Sequence, residues 1–125
     1  MDAQTRKVCV VDDDPNIVRL IKTRLENVGF EVTAAYDGKE ALLLICRESP
    51  DLVISDVMMP EMDGPTLVAA LKENPRTENI PIIFLTSLVE REKSDRAFLS
   101  GYRLVAKPFD PKELYSAVHD ALPFQ

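Results

Sequence analysis

The chain predicts an α/β domain built on a parallel sheet, and two observations carry that expectation. Short apolar runs alternate with amphipathic stretches five times along 125 residues, with no low-complexity segment between them. That is the pattern of strands joined by crossover helices. Carboxylates close two of the apolar runs, Val8-Cys9-Val10-Val11-Asp12-Asp13 and Leu52-Val53-Ile54-Ser55-Asp56, and a lysine closes a third, Leu104-Val105-Ala106-Lys107-Pro108. In an open parallel sheet the C-terminal strand ends share one rim, so side chains distant in sequence converge in a crevice there.

The elements follow in order. Strand β1 is residues 8–11. Asp14-Pro15 then offers an N-cap and a first-turn proline, and Ile17, Leu20, Ile21, Leu25 and Val28 recur at helical spacing until Gly29, which predicts helix α1 over 14–28. Residues 31–36 read as β2, and Asp37 caps α2, which runs through Ala41, Leu42, Ile45 and Cys46 to Pro50. Strand β3 covers 52–56. The turn-rich loop 57–64 follows, a long βα connection of the kind that carries function, and α3 runs through Leu67, Val68 and Leu71. A polar connection over 74–79 leads into β4, residues 80–86, whose nearly continuous apolar sequence suits a strand covered on both faces. Helix α4 is expected over 91–100, and β5 ends at Lys107. Asp110-Pro111-Lys112-Glu113 starts α5, which continues through Leu114, Val118 and Leu122.

Composition narrows the function. The net charge is -6, with 15 Lys and Arg scattered among 21 Asp and Glu, which leaves no basic stripe to track a nucleic-acid backbone. A direct nucleic-acid surface is not expected. Cys9 lies in a strand and Cys46 on a helix, as in a reduced cytoplasmic protein. Neither a signal core nor a membrane-length apolar run is present. Zinc chemistry has a single histidine, His119, to draw on, and there is no glycine-rich phosphate loop.

The rim residues point to a chemistry. Carboxylates brought together repel one another, and a hard divalent cation held by oxygen ligands reconciles them, with Mg2+ the usual choice. Asp12, Asp13 and Asp56 therefore read as a Mg2+ site with one carboxylate left to react. Taken singly, each has an ordinary use in capping a turn or helix. Asp14, beside Pro15, fits the N-cap of α1 and is left out of the site.

Val11-Asp12-Asp13, Asp56 with Met58-Met59-Pro60 and Met62-Asp63-Gly64, Thr86-Ser87, and Lys107-Pro108-Phe109 stand in order at successive strand ends. On these motifs the chain, over residues 6–122, resembles the receiver domain of the response-regulator family, the phosphoacceptor half of two-component signalling. The resemblance implies a flavodoxin-like five-stranded parallel sheet of order 2-1-3-4-5 flanked by five helices, with residues 1–125 as a single receiver domain. It implies that Asp56 is the phosphoacceptor, forming an acyl phosphate. Asp13, Asp56 and the main-chain carbonyl of Met58 would bind Mg2+ directly, and Asp12 through water. Lys107, aimed by a cis peptide before Pro108, would pair first with Asp56 and then with a phosphoryl oxygen. Thr86 would donate its hydroxyl to another, and the small Ser87 would leave access beside it.

The implied partners are a histidine kinase or histidine phosphotransfer protein and, downstream, a separate protein or an attached output domain met through the α4-β5-α5 face. A monomer or a phosphorylation-dependent dimer would serve. The protein would be a cytoplasmic phosphoacceptor in a phosphorelay, not an enzyme beyond its own phosphotransfer and dephosphorylation.

Some positions depart from the family pattern. Receivers commonly carry an aromatic ring three places before the lysine, where this chain has Leu104. Tyr102 could supply a substitute ring, although a surface tyrosine is the simpler reading. The positions that tune phosphoryl lifetime in the family are Met58 and Leu88, both apolar and unable to orient an attacking water. Two other functions compete. A pseudo-receiver, an interaction module without switching, is suggested by Leu104 and the altered loop before it. A haloacid-dehalogenase-like phosphatase is suggested by the Asp-x-Asp within residues 12–14, but Asn16 stands where a threonine or valine is typical, and the later acidic pair is missing.

Overall fold

The computed structural model describes residues 5–87 and 101–122. Along them run β1 (Lys7–Val11), α1 (Pro15–Glu26), β2 (Glu31–Ala35), α2 (Gly38–Glu48), β3 (Leu52–Asp56), α3 (Gly64–Lys72), β4 (Ile82–Thr86), β5 (Arg103–Ala106) and α5 (Pro111–Ala121). Four of the five expected helices are therefore in view, and the expected α4 lies outside the described residues. The strands form one parallel sheet in the order β2-β1-β3-β4-β5. This is the predicted arrangement.

Side chains alternate across the sheet, so each strand feeds two cores. Val8 and Val10 of β1 join Leu52, Ile54, Ile83 and Leu85 against α1 and α5, while Cys9 and Val11 join Val53, Ile82 and Phe84 against α2 and α3. Both faces are covered, which is why the strands read as continuous apolar runs. No helix among the described residues is long and apolar enough to cross a membrane.

All four described helices begin with an aspartate N-cap, at Asp14, Asp37, Asp63 and Asp110. Each accepts a main-chain N–H that the first turn leaves unpaired, typically worth about 1 kcal/mol. At α2 the cap is reciprocal: Asp37 accepts from Glu40 N at 2.7 Å, and the Glu40 carboxylate accepts from Tyr36 N at 2.6 Å. Tyr36 is thereby drawn into the cap and out of the strand predicted for it.

The buried face of α1 differs from the expected one. Val18, Ile21 and Leu25 are buried, whereas Leu20 is 43% exposed and Val28 54% exposed. Leu20 is turned about 100° from Ile21 on a helix of 3.6 residues per turn, and Val28 lies past the helix end. Strand β4 starts at Ile82, two residues later than expected, since Pro81 has no N–H for a ladder; the Pro81 carbonyl still accepts from Val53 N at 3.0 Å. Within the polar connection after α3, Thr77 is buried, its hydroxyl donating to the Leu71 carbonyl at 2.7 Å. Both cysteines are free thiols, and burial pushes Cys9 up to about 12, with a hydrogen bond from Thr33 acting against the rise.

The packing separates two aliphatic positions on helices that cover opposite faces of the sheet. Ile21→Ala, which empties a fully buried site, should lower the unfolding free energy by about 2–5 kcal/mol in a denaturant titration. Leu43→Ala, at a position 73% exposed, should stay within about 0.5 kcal/mol of the parent. Equal effects would contradict this assignment of the core.

Candidate functional site

Parallel register brings the strand ends together. Val11 pairs with Ala35 and Ser55, Asp56 with Leu85, and Thr86 with Ala106, so the residues that end β1, β3, β4 and β5 share one rim. Two main-chain bonds extend the alignment past the strands: Asp12 N donates to the Ala35 carbonyl at 3.2 Å, and Lys107 N to that of Thr86 at 2.9 Å. The Lys107–Pro108 peptide is cis.

Asp12, Asp56 and Thr86 are buried, while Asp13 is exposed at the mouth. Lys107 Nζ lies 3.1 Å from Asp12 Oδ2 and 3.1 Å from Asp56 Oδ2. Asp12 Oδ1 accepts the Asp14 N–H at 2.9 Å, while Asp14 itself caps α1 as expected. One carboxylate oxygen from each of Asp12, Asp13 and Asp56 falls within 4.8 Å of the others. These are hard oxygen donors converging on one point, and they fit a small divalent cation.

The electrostatics follow from burial and pairing. Burial raises the Asp12 carboxyl above its ordinary range, outweighing the lowering by the Asp14 N–H and by Lys107. For Lys107, burial works downward, but the charges of Asp56 and Asp12 overcome it and hold the ammonium above its usual 10.5. Because that folded-state value is raised, the pairing contributes stability in full below the unfolded lysine value, and it is lost as pH climbs through the folded one.

The loop after Asp56 is closed tightly. Val57 N donates to the Leu85 carbonyl at 3.1 Å, Gly64 N to that of Val57 at 2.9 Å, and Met62 N to that of Pro60 at 2.7 Å around a left-handed Glu61 with φ of 66°. Met58 is 56% exposed at the tip. A methyl group on Gly64 would overlap the Asp56 carbonyl oxygen and stand 3.0 Å from the Phe84 ring, so the loop can return to β3 only through a glycine. The Ser55 hydroxyl donates to that same Asp56 carbonyl at 3.0 Å. Sequence reading noted Gly64 without a role and passed over Ser55, since a steric limit set by a neighbouring strand leaves no local signal.

Thr86 sits at the rim with its hydroxyl donating to the Ser87 carbonyl at 3.2 Å. Leu104 is half-buried and packs on the core beneath α2 and α3. Tyr102 corrects the surface reading: it is half-buried, its ring edge-on to Phe84 with centroids 5.2 Å apart and planes at 75°. An edge-to-face aromatic pair holds it against the sheet. Leu88 lies outside the described residues.

Comparison with known proteins agrees with this geometry. Residues 8–119 match the response regulator receiver domain family, and the chain belongs to it. It is 45% identical over 112 residues to an uncharacterized 14.6 kDa protein in the sodA1 3′ region of Leptolyngbya boryana, covering 89% of this chain and 86% of that one. It is 41% identical to the probable transcriptional regulator ycf27 of Pyropia yezoensis, covering 98% of this chain and 49% of the relative; the chain thus spans about half of that relative's length. Among solved structures, a putative response regulator from Chloroflexus aurantiacus superposes with a TM-score of 0.87 at 34% identity, covering 96% of this chain and 99% of that one. The protein is a receiver domain of two-component signalling, a signalling protein and not a classical enzyme.

The charge coupling is measurable directly. In metal-free buffer, Asp56→Asn or Asp12→Asn should each lower the Lys107 titration midpoint followed by lysine-selective NMR, since each removes a charge that holds the ammonium. An unchanged midpoint in both variants would uncouple the lysine from these carboxylates.

Proposed function

We propose that this receiver is phosphorylated on Asp56 by a histidine kinase or a histidine phosphotransfer protein. The observation that carries the reading is the contact of Lys107 Nζ with Asp56 Oδ2 at 3.1 Å inside the acidic cluster. A carboxylate oxygen of Asp56 attacks the phosphorus, the bond from phosphorus to the donor breaks, and its electron pair leaves with the donor. Lys107 then moves its contact from the Asp56 carboxylate to a phosphoryl oxygen as a point charge. The Thr86 hydroxyl turns from the Ser87 carbonyl to a second phosphoryl oxygen, and Ser87 leaves room beside it. Asp13, Asp56 and the main-chain carbonyl of Met58 would hold Mg2+ directly, with Asp12 reaching it through water, and the ion would supply neutralisation of negative charge.

Incubation with acetyl phosphate and Mg2+ should add one phosphoryl group to the intact mass, and Asp56→Asn should abolish it. An adduct that persists in the variant would move the site elsewhere. No adduct from any donor or kinase would favour an interaction module without phosphorylation, the reading to which Leu104 lends support.

Phosphorylation would alter the α4-β5-α5 face and its affinity for a downstream protein or an attached output domain. The relatives named transcriptional regulators are about twice this length and support an output of that kind, while the net charge of -6 favours a protein partner over direct nucleic-acid contact. Two free thiols fit the cytoplasm. Leu104 has no ring to move, so the Thr86 hydroxyl becomes the main link from phosphoryl group to surface, because a two-state element responds only to differential contacts. Thr86→Ala should remain phosphorylatable while losing most of the NMR shifts that beryllofluoride induces across β5 and α5. Undiminished shifts would place the coupling elsewhere, with Tyr102 the next residue to substitute.

A further inference from the structure

We infer that Gly38, at the start of α2 and outside the acidic cluster, is a positioning residue for the metal-binding loop, acting through Met62. The inference rests on the Mg2+ reading above. Gly38 has an ordinary backbone conformation and lies at the first helical position, where alanine would be the better helix former. Propensity alone therefore predicts that Gly38→Ala stabilises the protein. Packing predicts the reverse. A Cβ on Gly38 would stand 2.5 Å from the Met62 carbonyl oxygen, 2.7 Å from its Cβ and 2.8 Å from its Cγ. The nearest obstacle is main chain, so no rotamer change relieves it.

Whichever partner yields, the displacement reaches the carboxylates. Met62 belongs to the short circuit closed by the Gly64–Val57 hydrogen bond, with the tight Pro60–Met62 turn inside it. Six residues lie between the two anchored ends, and the Pro60–Met62 hydrogen bond ties 60–62 into one unit, so a shift at Met62 is passed on to Met59 and Met58. Met59 is itself buried in the core, together with Ala41 and Ile45 of α2; Pro60 and Glu61 are exposed like Met58 but held by the Pro60–Met62 turn, so the shift is taken up at Met58. If α2 yields instead, it draws on the end of β2, where the Ala35 carbonyl accepts the Asp12 N–H at 3.2 Å. Gly38 thus sets the separation between α2 and the loop that carries the Met58 carbonyl.

The test is calorimetric titration with MgCl2 alongside thermal unfolding at rising Mg2+. The parent should bind Mg2+ and gain stability with it, as a ligand selective for the native state requires, and Asp13→Ala should lose both effects. Gly38→Ala should bind Mg2+ about tenfold more weakly, the lower end of what supporting residues around a metal usually cost, and its phosphorylation should recover at high Mg2+. Lys39→Ala, one residue along the exposed face, should match the parent. Met62→Gly, which removes both the Cβ and the Cγ that lie against Gly38 and lets the main chain at 62 shift, should also weaken Mg2+ binding, and it carries the test if Gly38→Ala does not fold. Parent-like Mg2+ affinity in Gly38→Ala, or in Met62→Gly where that variant stands in, would overturn the inference even if metal-free stability fell. Absence of Mg2+ binding in the parent would overturn the metal reading and this inference with it.

Discussion

The arrangement depends on one buried pairing, the Lys107 ammonium held between the carboxylates of Asp12 and Asp56 at 3.1 Å from each. Two buried carboxylates beside a third at the mouth would be intolerable in a dry sheet edge without a counter-charge, because desolvation and like-charge repulsion act in the same direction. The lysine offsets part of that cost and leaves the site still rich in negative charge. A site balanced in this way is suited to accept a further cation, and its lysine can exchange one anionic oxygen for another.

The sheet makes this pairing available and the cores make it rigid. Asp12, Asp56, Thr86 and Lys107 each follow an apolar run locked between two helical layers, so their backbone positions are set by packing on both faces. The aspartate caps use the same rim differently. Asp14, Asp37, Asp63 and Asp110 spend their carboxylates on helix N–H groups, and the remaining acids at the rim are those with no helix to cap. Carboxylates adjacent in sequence thereby take structural and chemical roles a few ångströms apart.

The loop after β3 is confined by glycines at both sides. Gly64 lets it return against Asp56 and Phe84, and Gly38 lets Met62 lie on the start of α2. Phe84 links the Gly64 constraint to Tyr102, since its ring lies below Gly64 and forms an edge-to-face pair with the tyrosine ring. Phe84 also pairs with Leu104 in the ladder, so the side chains beneath the site adjoin β5, part of the face that would present the output. Leu104 packs beside Tyr102 in that layer, so the chain keeps an aromatic ring in the region although the position three places before Lys107 lacks one.

Much of this was legible in the residues alone. Periodicity separated strands from helices, Asp-Pro pairs marked helix starts, and charged residues closing apolar runs located the rim, because alternation, capping and desolvation are local properties of a sequence. The role of Asp14 as a cap agrees with those expectations, and the strand order 2-1-3-4-5 agrees with what the family resemblance implies. Other features required the third dimension. The exposed Leu20 and Val28 follow from which side of α1 meets the sheet, and the half-buried Tyr102 from a partner ring on another strand. The distances joining Lys107 to Asp12 and Asp56, and the need for glycine at 38 and 64, arise between segments far apart in the chain. Pattern within a segment dictates what it becomes, whereas the space left between segments is decided when they pack.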